Sequence, residues 1–334
     1  GKINSALIIA PKGVYRNWKN QEIPAHLVDH IKVNIVCWTP TPTKKEREIL
    51  DSLTVITDDL VIFLMNVEAL STLKGYEAAY KFLLGHTALM AIDESTTIKA
   101  PTASRTKSSL KLGLYAKYRR ILTGSPVTKS PLDLYTQCYF LDPYLLDFSS
   151  YWAFKSRYAL MAHRNAAGGS HSYHHVIKYV RLDELNNRLG KFSMRILKED
   201  CLDLPEKIYM KRTISLTPEQ LKVYSEMKKF AIAELENSTM TAFSVLTQLM
   251  RLHQITCGHV TLDDGTIKEI KNNRLKELLN VLEEVDGKVI IWANYRYDIR
   301  TITNELEKKY GKLAVANLYG DTPMSDRDKI ISDF

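Results

Sequence analysis

The sequence predicts an α/β protein with parallel sheets in two lobes and helical insertions between them. Three observations carry this expectation. Short apolar runs alternate with helical patterns, as in parallel strands joined by helical crossovers. The runs fall into two sets, one towards each end of the chain. Between them, from about Phe148 to Glu284, the periodicity is helical and gives no strand signal.

The first set comprises Ala6 to Ala10, Val61 to Met65, Ala88 to Ile92 and Arg120 to Leu122. The second comprises Val289 to Trp292 and Leu313 to Ala316. All are far shorter than the roughly 20 apolar residues that cross a bilayer. Thr217-Pro218-Glu219 is a helix start signal, after which Leu221, Tyr224 and Lys228 share a face; Leu275, Leu278, Leu279 and Leu282 form the stripe of another helix. The segment His163 to His175 is rich in Gly, Ser and Asn and predicts a surface loop. His171, His174 and His175 have no cysteine near them, which favours a polar loop over a zinc site.

At 334 residues, 45% hydrophobic and 25% charged, the chain has the length for two domains with ordinary cores, and disorder is excluded. Four cysteines do not suggest a disulfide framework, and Gly1-Lys2-Ile3-Asn4 does not open a secretory segment, so a reducing cytoplasm is the expected compartment. The formal net charge is +8, with basic clusters at Lys44-Lys45, Lys117 to Arg120, Lys207 to Arg212, Lys228-Lys229 and Lys308-Lys309. Each cluster alone reads as a solvated surface; their sum favours a polyanionic partner.

The chemistry concentrates where apolar strands end. The run Ala88 to Ile92 empties into Asp93 and Glu94. A strand ending in Asp-Glu places one carboxylate beside a phosphate-bound Mg²⁺ and the next within reach of an attacking water, which points to ATP hydrolysis. The run ending at Ala10 breaks at Pro11 and continues into a helix with Lys12, Arg16, Trp18 and Lys19, basic and aromatic groups suited to a nucleic-acid backbone. Arg119 to Pro126 repeats the design, ending in Thr123-Gly124-Ser125. One crossover helix fits between Asp93 and Thr123, so both belong on the same sheet edge.

The ordered segments APKGVYRNWKNQ (10–21), IDESTTIKAP (92–101), LTGSPVTKSPLDLYTQCYFLDP (122–143), RILKEDCLDLPEK (195–207), TPEQLKVY (217–224) and KVIIWANY (288–295) resemble the Swi/Snf-related DNA translocases of helicase superfamily two. Asn317 to Phe334 is similar to the glycine-plus-helix element of that family's second lobe. The resemblance implies two RecA-like lobes, at 1–205 and 206–334, each with a helical protrusion, that clamp ATP and Mg²⁺ between them and move along double-stranded DNA. It implies that Asp93 holds Mg²⁺ and Glu94 orients or deprotonates the water. Thr96, Thr123, Gly124 and Ser125 would couple the nucleotide to DNA; Lys12, Trp18, Asn66 and Lys99 would lie near the DNA backbone; Arg195 and Lys198 would belong to the connection between lobes.

The chain also departs from the family. Thr96 stands where related sequences often carry histidine. The phosphate loop, G-x-x-x-x-G-K-S/T, would precede the Ala6 strand, and Gly1-Lys2 is not that loop, being followed by Ile3-Asn4 and not by Ser or Thr. The closing motifs, with their arginine fingers, would follow Phe334. The expectation is therefore a fragment whose first sheet is incomplete at its N-terminus and whose second is incomplete at its C-terminus, and which hydrolyses ATP poorly alone. Competing readings are a strand-separating helicase on RNA or single strands and a non-catalytic DNA-binding module on the same fold. The Lys, Ile, Asn and Tyr content has a bacterial or phage flavour, favouring repair, replication, recombination or restriction in the cytoplasm; a eukaryotic source would place the protein in the nucleus.

Overall fold

A computed structural model describes residues 3–53, 55, 57–165, 172–236 and 242–334. They form two compact units, Gly1–Leu202 and Asp203–Phe334. The chain is α/β, and its main sheet lies in the first unit.

That sheet has five parallel strands: β1 (Ser5–Ala10), β2 (Val33–Cys37), β3 (Leu60–Asn66), β4 (Ala88–Asp93) and β5 (Tyr118–Leu122), in the order β2-β3-β1-β4-β5. Every residue of β1 is buried, because helices cover both faces of the sheet. Leu7, Ile9, Phe63, Met65, Met90 and Ile92 pack on one side with Phe82 and Leu83 of the helix Leu73–Gly85 and with Leu112 of the helix Ser104–Gly113. Ala6, Ile8, Ala10, Ile62, Leu64 and Ala91 pack on the other with Tyr15 and Ile23. Two-sided burial is why β1, β3 and β4 read as unbroken apolar runs.

β2 and β5 are the edges. β2 has only Val36 buried and has Asn34 exposed, and it lies outside the runs read from the sequence. β5 begins two residues before the predicted run, and it exposes Arg120 next to an exposed Lys117. Cations on an edge strand discourage pairing with another chain, so this basic cluster has a structural use of its own.

Gly75, near the start of the helix Leu73–Gly85, is required by close approach: a Cβ there would lie 2.2 Å from the Ala69 carbonyl oxygen. Its N–H donates to the Thr72 hydroxyl at 3.1 Å, the N-cap of the helix. Gly75→Ala is expected to destabilise the protein by about 1–3 kcal/mol. A urea midpoint equal to wild type would show that the turn Val67–Ser71 yields without cost.

The region expected to be free of strands contains two antiparallel hairpins. β6 (Ala159–Asn165) pairs with β7 (Ser172–Tyr179), and β8 (His259–Thr261) with β9 (Ile267–Glu269). The predicted surface loop is thereby corrected: His163 pairs with His174 and Ala162 with His175 in the first ladder, and only residues 166–171, which include His171, lie outside the described residues. These strands escape a search for apolar runs because they are short or rich in polar residues and their pairing partners are close in sequence. Around the first hairpin, Leu134, Tyr135, Cys138, Leu146, Phe154, Tyr158 and Leu185 form a second core of the first unit. Burial pushes the Cys138 thiol up to about 12, so it stays protonated at neutral pH.

In the second unit, Thr217 caps the helix Pro218–Glu236 as its start signal predicts. The Thr217 hydroxyl accepts from the Gln220 N–H at 3.2 Å, and the Gln220 side chain accepts from the Thr217 N–H at 3.1 Å. The helix packs through Val223, Tyr224 and Met227 against Ile255, Val260 and Ile270, whereas Leu221, expected on the packed face with Tyr224, is exposed. Leu275, Leu278, Leu279 and Leu282 are half-buried along one face of the helix Arg274–Glu283, as predicted. The runs Val289 to Trp292 and Leu313 to Ala316 do not form the expected parallel strands: among the described residues they join no ladder, and Trp292 is 92% exposed. An apolar run becomes a strand only beside another strand, and neither finds one. No described helix is long and apolar enough to cross a membrane.

Candidate functional site

Parallel strands deliver their C-terminal ends to one edge of the sheet, and ligands of open α/β folds bind outside that edge. Here the register sets Ala10 beside Asn66 and Asp93 beside Leu122. The edge therefore collects the turn after β1, with Lys12 exposed; the end of β3, at Asn66; the Asp93–Glu94 end of β4; and Thr123, Gly124 and Ser125 after β5. These predicted site residues of the first unit come from four separate stretches.

The turn after β4 is sharp. Glu94 has φ 47° and ψ 56°, a left-handed conformation that is uncommon outside glycine and costs a non-glycine residue of order 1 kcal/mol. It reverses the chain at once, so that Glu94 is exposed at the edge while Ser95, the next residue, is fully buried. The Glu94 N–H donates to Asp93 Oδ1 at 2.9 Å. Asp93 Oδ2 accepts the indole N–H of Trp18, also at 2.9 Å. Each carboxylate oxygen of Asp93 thus accepts from one fixed donor and has a second lone pair left. A hard oxygen ligand held this way fits a Mg²⁺ bound mainly by nucleotide phosphates and water.

Trp18 sits where the helix Tyr15–Asn17 widens into a π-turn, Trp18–Glu22, closed by the bond from the Ile23 N–H to the Trp18 carbonyl. π-Turns of this kind re-aim a side chain and recur at functional sites. The residues expected at a DNA backbone therefore differ in their surroundings. Lys12 is exposed. Trp18 is half-buried and bonded to Asp93, and Asn66 donates to Glu68 at 2.8 Å. The Lys99 ammonium is bonded to the Thr128 hydroxyl and lies 3.6 Å from Asp133.

The loop after β5 is held from below. Ser125 N–H donates to the Thr123 hydroxyl at 3.2 Å, and Asp133 Oδ2 accepts from the Thr128 N–H, the Thr128 hydroxyl and the Lys129 N–H at 2.9–3.0 Å. Burial works to raise the Asp133 pKa, but these three bonds and the nearby Lys99 outweigh it and hold the carboxyl below its usual range. Thr96 is half-buried in the short turn Ser95–Ile98. Arg195 and Lys198 are exposed near the end of the first unit, away from any regular element longer than the four-residue helix Lys198–Cys201.

Sequence reasoning missed a buried amide in this region. Gln137, on the helix Leu134–Leu141, is fully buried; its Oε1 accepts from the Ser95 hydroxyl at 2.7 Å, and its Nε2 donates to the carbonyls of Pro126 and Asp133, both at 2.8 Å. The available signal was a polar pair, Thr136-Gln137, inside an otherwise apolar helix. A buried polar group on such a helix needs partners, and here both residues find them; Thr136 donates to the Ile98 carbonyl at 2.8 Å.

Comparison with known proteins bears on the family of the chain. The SNF2-related domain family matches residues 1–261. Among similar proteins, the human TATA-binding protein-associated factor 172 is 30% identical over 170 residues, covering 51% of this chain and 9% of that protein. The putative ATP-dependent helicase/translocase YwqA of Bacillus subtilis is 25% identical over 258 residues, covering 73% of this chain and 26% of that protein. The chain thus spans about a quarter or less of the length of these relatives. A solved Sulfolobus solfataricus SWI2/SNF2 ATPase core in complex with dsDNA is 25% identical, covering the whole chain and 65% of that structure, with a TM-score of 0.43. The family match runs from the first residues through β8, so the sheet that carries Asp93 and the helices and hairpin behind it all fall inside it, and the chain belongs to the SNF2-related domain family.

Proposed function

We propose that this chain is part of an ATP-dependent translocase on double-stranded DNA, in which its first unit contributes the water-activating and metal-holding carboxylates. The observation that supports this best is the paired arrangement at the centre of the sheet edge. Asp93 is pinned by two donors, while Glu94, itself in a left-handed conformation, is exposed. Bound at Asp93, Mg²⁺ would neutralise charge on the nucleotide phosphates. Glu94 is free at the edge to accept the proton of an attacking water or to aim it. Thr123, Gly124 and Ser125, one strand away, would register the state of the nucleotide, and Thr96 follows Glu94 in the same turn.

DNA contact in this reading falls to Lys12, Trp18, Asn66 and Lys99 at that edge, aided by the net charge of +8. Trp18 then belongs to both functions, since it follows the basic turn after β1 and holds Asp93. The segment with Arg195 and Lys198 serves as the connection from a first lobe ending near residue 205 to the second. The reading extends to repair, replication, recombination or restriction as the setting for such movement.

The test is ATP turnover of the complete protein with duplex DNA, single-stranded DNA and RNA. Duplex DNA is expected to stimulate most; a preference for RNA or single strands would favour a strand-separating helicase, and no nucleotide turnover a non-catalytic binding module. Affinity for duplex DNA is expected to fall steeply with salt, by roughly 10³-fold or more between 50 and 200 mM if six or more phosphates are contacted. An affinity flat across that range would remove the basic residues from the DNA track.

A further inference from the structure

We infer that Gln137 is a positioning residue that ties the loop after β4 to the loop after β5, so that the Asp93–Glu94 turn and the Thr123–Ser125 segment move as one; this rests on the translocase reading above. The geometry is a three-point bond made by one buried amide. Its oxygen receives the Ser95 hydroxyl, immediately after Glu94, and its nitrogen gives one proton to Pro126, immediately after Ser125, and one to Asp133 of its own segment. Gln137 and Ser95 are both fully buried, so water cannot substitute for a lost partner and the cost of separating the loops falls on this side chain.

The same helix start makes a second, outer connection. Asp133 holds Thr128 and Lys129 of the β5 loop and faces Lys99, which follows the β4 turn. The inner connection is neutral, fully buried and directional; the outer one is charged and partly open to solvent. Salt and solvent weaken the outer pair and leave the inner one intact. The inner amide is therefore the element that keeps the two loops in register whatever the ionic conditions. Ser95 and Gln137 reach no reacting atom; they hold the loop after β4 and the loop after β5 in register with each other.

Two variants separate this role from simple packing. Gln137→Glu keeps the shape and the acceptor for Ser95 but sets oxygen against the Pro126 and Asp133 carbonyls. Ser95→Ala removes only the other arm. In the complete protein, Q137E is expected to reduce stimulation of ATP turnover by duplex DNA about tenfold, within the range typical of coupling between sites. DNA-free turnover, the KM for ATP and DNA affinity should stay within about twofold, because the reacting groups are untouched. S95A is expected to act in the same direction, and the double variant to be no worse than Q137E alone. Native-state hydrogen exchange gives a readout independent of activity. The amides of Thr97 and Ser125, bonded to the Glu94 carbonyl and the Thr123 hydroxyl, should exchange faster together in Q137E, by about tenfold, while amides of β1 keep their protection. If all turnover falls in parallel, or if one loop loosens without the other, the coupling role is overturned and Gln137 is only a core residue. Wild-type protein that DNA does not stimulate overturns the translocase reading and this inference together; a stimulated wild type whose variants keep the full ratio overturns this inference alone.

Discussion

Glu94→Gln is expected to lower DNA-stimulated ATP turnover by roughly 10²- to 10⁴-fold, the usual worth of a positioned general base. The substitution is nearly isosteric, so the left-handed turn and the bond from the backbone N–H of residue 94 to Asp93 survive. Because Glu94 is exposed and no described hydrogen bond or ion pair engages its side chain, stability should change little, within about 0.5 kcal/mol. Loss therefore reports on chemistry. The measurement is single-turnover hydrolysis at saturating duplex DNA, beside binding of a fluorescent nucleotide and of DNA. Binding should persist; retention of a third or more of the wild-type rate would remove Glu94 from the role of base or water-orienting group.

Phe154→Ala is expected to destabilise the first unit by about 3–5 kcal/mol. Phe154 is fully buried, with ring centroids of Tyr135 at 5.4 Å, Phe148 at 5.3 Å and Tyr158 at 4.9 Å. Those partners come from the helix Leu134–Leu141, the segment after it and the helix that carries Phe154 itself, Tyr151–Tyr158. Emptying the centre removes edge-to-face and tilted contacts as well as buried area. The consequence reaches the candidate site, since Leu134–Leu141 is also the helix that bears Gln137. Chemical denaturation followed by tryptophan fluorescence should show a lower midpoint, and a shift under 1 kcal/mol would mean that this aromatic cluster is not a cohesive core.

What could be read from the sequence follows from where each element is buried. β1, β3 and β4 lie between two helical layers, so every position is apolar and the run announces itself. β2 is an edge with open positions, and its shorter, mixed pattern escaped notice. β6 to β9 are hairpins whose ladders pair segments close in sequence, and no unbroken apolar run marks them. Val289 to Trp292 had the opposite problem, being apolar enough for a buried strand without a neighbouring strand to make it one.

The site divides in the same way. Asp93, Glu94 and Thr123 were legible because a strand's end is a fixed address, and the register confirms that β4 and β5 end side by side. The bond from Trp18 to Asp93 spans 75 positions, and that from Ser95 to Gln137 spans 42. No periodicity encodes such pairings; they follow from tertiary packing. The Trp18 side chain offered both an apolar body and a polar tip, and only the sheet's geometry decided that the tip faces the carboxylate.

The place of β1 in the sheet bears on how this chain comes to be folded. Among the described strands, the central one comes before both of its neighbours in the chain, which begin at Leu60 and Ala88 and are made later. During synthesis the segment SALIIA has no partner on either side until β3 and then β4 emerge. Its pairings are parallel and distant, the kind that close slowly because chain entropy must be overcome before contacts form. An uncharged, apolar six-residue strand held waiting in this way is the part of the first unit most exposed to misassociation and most in need of chaperone shelter.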